Sequence, residues 1–237
     1  MARIVRLFLA PFLFCFSAWG FVQPRELEDW LASSDRGLAM SREEARSVAS
    51  VQWSTLTQCG ITIQTLQALK DVMYDHTGMD LGMSDLRQKL FPVAEQHISP
   101  GKLTQLYQAL SSSYTFSGGL GLAKAEAQSM TTDLALRRAE PDQLKALYQV
   151  MYGWNGLGFT QKDAQQTSIE QAVAGSNATQ FYITYSAAVA AGAPSQYALT
   201  QSSIAAVKAN LGGLERRYAK NAQPYTSTEF KQYYGDQ

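Results

Sequence analysis

The clearest apolar pattern in the chain lies between Pro141 and Ala174. In its first half, apolar side chains fall at the i, i+3, i+4, i+7 spacing of one helical face, at Leu144, Leu147, Tyr148 and Met151. The glycines between Gly153 and Gly158 then end this helix, because glycine adopts the left-handed backbone of a helix C-terminus at little cost. Thr160 is the predicted N-cap of a second helix. The stretch therefore predicts a helical hairpin, two helices joined by a tight glycine-rich loop.

This pattern recurs along the chain. The predicted loop ends are separated by 43, 39, 37 and 40 residues, and they are Ser41, Ser84, Ala123, Thr160 and Thr200. A single hairpin cannot bury its own apolar stripe, so neighbouring hairpins must cover it. The sequence thus predicts an all-α fold, a right-handed, α-solenoid-like stack of about five helical hairpins of ~40 residues with a C-terminal capping helix or tail. An irregular helical bundle with glycine-rich loops is the alternative.

Local signals refine the helix boundaries. Ser99 and Asn177 are predicted N-caps, since each precedes an apolar-periodic run. Pro92 lies inside another such run and predicts a kink or an interruption. A short charged helix near Leu214 to Ala219 is expected to cap the last hairpin.

The first twenty residues resemble a secretory signal. Arg3 and Arg6 precede an apolar run that ends at Phe16, and Ser17-Ala18-Trp19-Gly20 follows. This order predicts a signal peptide over residues 1–20 that is cleaved after Gly20. The apolar run is about half the length of a membrane span, so stable membrane insertion is not expected after cleavage. An uncleaved anchor is the alternative.

The signal peptide and the cysteine count predict that the mature chain is secreted or periplasmic. Cys59 is the one cysteine after the signal, so an internal disulfide is excluded, which favours a bacterial protein over a disulfide-stapled scaffold.

Residues 21–223 are predicted to form a single helical-repeat domain. The tail 224–237 is rich in aromatic residues and is expected to dock on the last repeat. Formal net charge is zero, so charge-driven nucleic-acid binding is not expected.

No residue pattern predicts a catalytic, metal or cofactor site. His76 lies near Asp75 and Asp80, but the spacing matches neither a zinc pair nor a calcium loop. First-turn acids such as Glu126 and Asp163 recur with the hairpins, which favours a structural role. A carboxylate pair that forms only in space stays open.

The aromatic residues near the hairpin loops are the candidate binding residues. Tyr74, Tyr114 and Tyr152 end the first helices, and Phe116 and Trp154 follow two residues later in two of the hairpins. Such rings either pack within the turns or form an aromatic edge that binds a partner. The sequence therefore predicts an exported, non-catalytic helical-repeat protein that binds or scaffolds an unknown protein or peptide. A secreted all-α hydrolase acting on cell-wall glycan or peptide is the alternative function.

Overall fold

Helices make up most of the described part of the chain. The computed structural model describes residues 23–113, 118–211, 217–218 and 224–225. The helices are α1 (Pro24–Ala32), α2 (Arg42–Gln58), α3 (Ile63–Tyr74), α4 (Met83–Glu95), α5 (Pro100–Ser111), α6 (Lys124–Leu136), α7 (Pro141–Tyr152), α8 (Gln161–Val173), α9 (Ala178–Ala190) and α10 (Ser195–Leu211). Two short strands, β1 (Arg217–Tyr218) and β2 (Pro224–Tyr225), pair antiparallel, with Arg217 opposite Tyr225. The all-α prediction is confirmed.

The chain divides into two compact units, one up to Gln64 and one from Thr65 onward. In the first unit, α1 packs against α2 around buried residues that include Leu27, Leu31 and Leu56. In the second unit, α5 packs against α6, α7 against α8, and α9 against α10. Helices one hairpin apart also touch, namely α4 with α6, α5 with α7, and α7 with α9. A helix of this unit can therefore contact both its hairpin partner and the corresponding helix of a neighbouring hairpin.

Four hairpin loops contain the same five-residue segment, which we name the loop module. It consists of a glycine, an apolar residue, a residue with positive φ, a second apolar residue and the N-cap of the next helix. The four copies are Gly37–Ser41, Gly78–Gly82, Gly119–Ala123 and Gly156–Thr160. In each copy the second apolar residue donates its N–H to a carbonyl near the end of the preceding helix: Met40 to Leu31, Leu81 to Met73, Leu122 to Leu110 and Phe159 to Met151. The module thus locks the second helix onto the first.

Close backbone approach explains the first glycine of the loop module. A Cβ at Gly78 would lie 2.3 Å from the carbonyl oxygen of Val72. A Cβ at Gly156 would lie 2.7 Å from the carbonyl oxygen of Val150. Side chains do not tolerate such distances, so glycine is needed at both positions.

The turns between hairpins also share one backbone conformation. A residue with left-handed φ follows α2, α4, α6 and α8, and these residues are Gly60, His97, Arg138 and Gly175. The N–H of the next residue donates back five residues, as Ile98 does to Val93, which closes a Schellman-type cap. Ser99 and Asn177 then accept from the N–H groups of Lys102 and Gln180. Both residues are N-caps, as the sequence predicts.

Two predicted loop ends are wrong. Ser84 lies inside α4, whose N-cap is Gly82, and Thr200 lies inside α10, which begins at Ser195. The start of α4 is set by the loop module rather than by a capping hydroxyl, and the connection before α10 is residues 191–194 alone. The N-caps that end the loop modules, Ser41, Gly82, Ala123 and Thr160, are 41, 41 and 37 residues apart.

Other predictions meet the structure only in part. Pro92 does not interrupt α4, which continues to Glu95. Of the predicted capping helix, the described residues Arg217 and Tyr218 form β1 instead. The signal peptide with its cleavage site after Gly20, and the tail beyond Tyr225, lie outside the described residues. No described helix is long and apolar enough to cross a bilayer.

Candidate functional site

A tight turn between α7 and the loop module presents Trp154 to solvent. The N–H of Gly156 donates to the carbonyl oxygen of Gly153 at 2.7 Å, so Trp154 and Asn155 occupy the two central positions of the turn. Neither central side chain is needed for this hydrogen bond. The Trp154 side chain is 98% exposed, which means that its indole contributes almost nothing to the core.

The turn after α3 has the same geometry and different chemistry. The N–H of Gly78 donates to the carbonyl oxygen of Asp75 at 2.9 Å, which places His76 and Thr77 at the centre. The Asp75 carboxylate accepts from the Thr77 N–H at 3.0 Å and lies 3.0 Å from His76 Nδ1. The Thr77 N–H is the largest cause that lowers the pKa of Asp75, followed by the Thr77 hydroxyl and then His76. We call each such turn a corner. Residues 114–117, which follow α5, lie outside the described residues.

A cleft opens beside the corner after α7, and we name it the aromatic cleft. Its volume is about 460 Å³, and Tyr182 of α9 contributes to its lining. The lining residues are Gln149, Val150, Gly153, Trp154, Asn155, Gly156 and Tyr182. None of these side chains carries a charge. The cleft therefore combines two aromatic rings with two neutral amides.

A second cleft lies at the equivalent place after α3, and we name it the ionic cleft. Its volume is about 640 Å³, and its lining includes Asp71, Asp75 and His76. Buried Lys70 places its ammonium group 5.7 Å from the centre of the Tyr74 ring, a cation–π contact. Asp80 in the same lining pairs with Lys124 of α6, and this hydrogen bond is the main cause that raises the pKa of Lys124. Most of the charges in this cleft are thus already matched.

The predicted aromatic residues are not all in one place. Trp154 lines the aromatic cleft and Tyr74, which is 43% exposed, lines the ionic cleft. Tyr152 is 37% exposed and stacks on the buried ring of Tyr148, with ring centres 5.5 Å apart. The remaining predicted residues, Tyr114 and Phe116, lie outside the described residues. A binding role for the group stays a prediction.

Sequence reasoning missed Tyr182 as a candidate residue. Phe181 and Tyr185 form the buried face of α9, at the i, i+4 spacing, and their rings stack with centres 6.3 Å apart. Tyr182 is one position further around the helix, and it is 40% exposed. The helical offset from the buried pair was the signal that could have identified it.

Three observations on the described residues concern metal-ligating, nucleophilic and acidic side chains. They contain no group of three or more His, Cys, Asp or Glu side chains that could hold a metal ion. Cys59 is a half-buried free thiol that follows α2. Asp163 accepts a hydrogen bond from the Thr160 hydroxyl at 2.7 Å, which is a helix-capping arrangement.

The fold defines an all-α protein of successive helical hairpins, with a cleft beside each of the two described corners. A family model described as Domain of unknown function (DUF8283) matches residues 17–199, most of the chain. The protein therefore belongs to this family. Both clefts lie inside the matched region. No curated protein and no solved structure matches the chain.

Proposed function

We propose that this protein is an exported, non-catalytic helical-repeat protein that binds a protein or peptide partner at its hairpin corners. The observation that carries the proposal is Trp154, an indole that is 98% exposed at the lip of the aromatic cleft. Tryptophan is among the residues that most often dominate protein interfaces. A position that stabilises the core so little is available for contact with a partner.

The division between a constant framework and changing corners supports this role. The loop module repeats one main-chain hydrogen bond in four hairpins, whereas the two described corners carry Trp154-Asn155 and His76-Thr77. Repeat proteins use this arrangement, in which shared framework residues hold the units and variable residues meet the partner. This difference supports a role of the corners in partner recognition.

Contacts between hairpins support an α-solenoid-like stack for residues 65–211. Lys102 and Gln143 are the third residues of α5 and α7, and each bonds to the turn before the next first helix. The Lys102 ammonium group lies 2.7 Å from a Glu140 carboxylate oxygen, and the Gln143 amide donates to the carbonyl oxygen of Ser176. Equivalent bonds at equivalent positions are what stacked copies of one unit would make. The right-handed sense of the stack stays a prediction.

Partner capture tests the binding role. The mature chain is immobilised and exposed to periplasmic extract of the source cells, in parallel with Trp154→Ala and Trp53→Ala variants. Trp53 lies on α2, is also partly exposed and is absent from the cleft lining, so it is a control of the same residue type. We expect Trp154→Ala to reduce capture at least tenfold and Trp53→Ala to leave it unchanged. Equal capture by both variants would reject the role of the corner.

Export is a separate part of the proposal and rests on residues 1–20. Expression of the full chain in a bacterial host should give a periplasmic product that begins at Phe21. A Leu9→Arg variant, which breaks the apolar run, should stay in the cytoplasm and keep its N-terminus. A wild-type product that retains residues 1–20 in the cytoplasm would contradict export.

The alternative function, a secreted hydrolase, has weaker support. Glycan cleavage by two carboxyl groups needs one whose pKa is raised, so that it can donate a proton. In the ionic cleft, the Thr77 N–H lowers the pKa of Asp75, and Asp80 pairs with Lys124. An assay of the mature protein on peptidoglycan and on peptides tests this alternative. Turnover that is lost in Asp75→Asn would overturn the non-catalytic proposal.

A further inference from the structure

From the chemistry of the aromatic cleft, we infer that it binds a proline-rich peptide segment in the extended polyproline II conformation. The inference rests on the proposed function and names the class of partner. Its argument comes from the charge, the hydrogen-bonding groups and the rings of the lining.

The lining selects against charged ligands. All of its side chains are neutral, so the cleft offers no ion pair to an acidic, basic or phosphorylated peptide. Placing a charge there would cost solvation without a compensating partner. The ionic cleft after α3 shows that the same position can carry charges. Neutrality at the α7 corner is therefore a property of this cleft and not of the fold.

The polar groups of the lining are rich in donors. The Trp154 indole N–H only donates, the Gln149 and Asn155 amides each carry an NH₂ group, and Tyr182 has a hydroxyl. Within the part of the chain that the structure describes, none of these four side chains makes a hydrogen bond. A polyproline II segment exposes carbonyl oxygens that have no internal partners, and its prolines have no N–H. Such a ligand supplies acceptors that match these donors.

The two rings supply the apolar part of recognition. Trp154 comes from the corner after α7 and Tyr182 from α9, and the packing of α7 against α9 fixes the spacing of these elements. Proline rings pack on aromatic faces in the grooves that recognise proline-rich peptides, and the preformed ligand loses little entropy on binding. A volume of about 460 Å³ suits a short segment rather than a broad surface.

A capped decaproline peptide is the probe for this inference, and a capped Gly/Ser peptide of equal length is its control. Titration calorimetry with the mature protein should give a micromolar Kd for decaproline and no measurable binding for the Gly/Ser peptide. Trp154→Ala and Tyr182→Ala should each weaken decaproline binding at least tenfold. Tyr197→Ala is the matched control, since Tyr197 on α10 is 57% exposed and lies outside the cleft lining.

Three outcomes would overturn the inference: no decaproline binding, equal binding of the Gly/Ser peptide, or affinity that is unchanged in both cleft variants. If partner capture is still lost in Trp154→Ala, the cleft binds a different class of peptide and the proposed function stands. If capture is also unaffected, the proposed function fails with it. The two failures are therefore distinguishable.

Discussion

The side-chain amide of Gln165 donates a hydrogen bond of 2.7 Å to the main-chain oxygen of Leu120, in the loop module of the preceding hairpin. Gln128 occupies the same place in α6, five residues after its N-cap, and donates to the main-chain oxygen of Met79 at 2.6 Å. Both acceptors are the first apolar residue of a loop module. One glutamine position thus ties each of these second helices to the hairpin before it.

Replacing Gln165 should remove one of these contacts between neighbouring hairpins. In Gln165→Leu the carbonyl of Leu120 loses its side-chain partner in a half-buried position, and we expect the free energy of unfolding to fall by about 1–2 kcal/mol. Urea denaturation measures this loss. Gln166→Leu is the control, because the Gln166 amide bonds only to Glu170 on the exposed face of the same helix, and its effect should stay within about 0.5 kcal/mol. Equal effects of the two changes would argue against a coupling role.

The loop module predicts opposite effects for two neighbouring substitutions in the first unit. Ala39 has φ of 49°, a strained value for a residue with a Cβ, so Ala39→Gly should stabilise the protein by roughly 0.5–1 kcal/mol. At Gly37 a Cβ would overlap the carbonyl oxygen of Trp30, at 1.5 Å, so Gly37→Ala should destabilise by about 1–3 kcal/mol or more. Thermal melts of both variants test this pair. A lower Tm for Ala39→Gly would contradict the strain argument.

Trp154 and Tyr148 differ in burial, so their substitutions distinguish a surface contact residue from a core residue. Trp154→Ala should change the free energy of unfolding by less than about 0.5 kcal/mol, since the indole is exposed. Tyr148 is fully buried on α7, and Tyr148→Ala should cost about 3–5 kcal/mol. Guanidinium denaturation of both variants gives the comparison. A large loss of stability in Trp154→Ala would assign the ring to the core.

The corner after α3 predicts a pH effect. The pKa of Asp75 lies below 3.8 in the folded protein, chiefly because its carboxylate accepts the Thr77 N–H. A lowered pKa stabilises the fold above the unfolded value, and this contribution disappears as the pH falls through the folded pKa. Carbon-detected NMR titration should give an Asp75 pKa below 3.8. Thr77→Val removes the hydroxyl but keeps the N–H, so most of the lowering should persist. A return to 3.8 in that variant would make the hydroxyl the main cause.

The helices and many of their caps could be predicted from the sequence because both depend on local chemistry. Ser41 and Thr160 accept from the N–H groups of Glu44 and Asp163, as their positions before apolar-periodic runs suggest. The end of the second hairpin loop was misplaced because Asp80 takes the positive φ that glycine provides in two other copies. A glycine pattern does not reveal that substitution. Backbone hydrogen bonds do, and these require coordinates.

The candidate site could be predicted only in part. The sequence singles out Trp154 because it follows the aromatic helix end at Tyr152 by two residues, as Phe116 follows Tyr114. Its neighbour Tyr182 is 28 positions away in sequence and joins it only through the packing of α7 on α9. Contacts of that kind depend on the tertiary fold, which no local pattern encodes.

The corner after α7 is closed by a hydrogen bond between the main-chain atoms of two glycines, and no side chain at its centre takes part. The two central residues of this corner can therefore be exchanged with little expected effect on folding. Replacing Trp154-Asn155 by His-Thr should give an equally stable protein. Under the proposed function, its ligand preference should change. At this point of the chain, the proposed binding selectivity and the fold can therefore change independently.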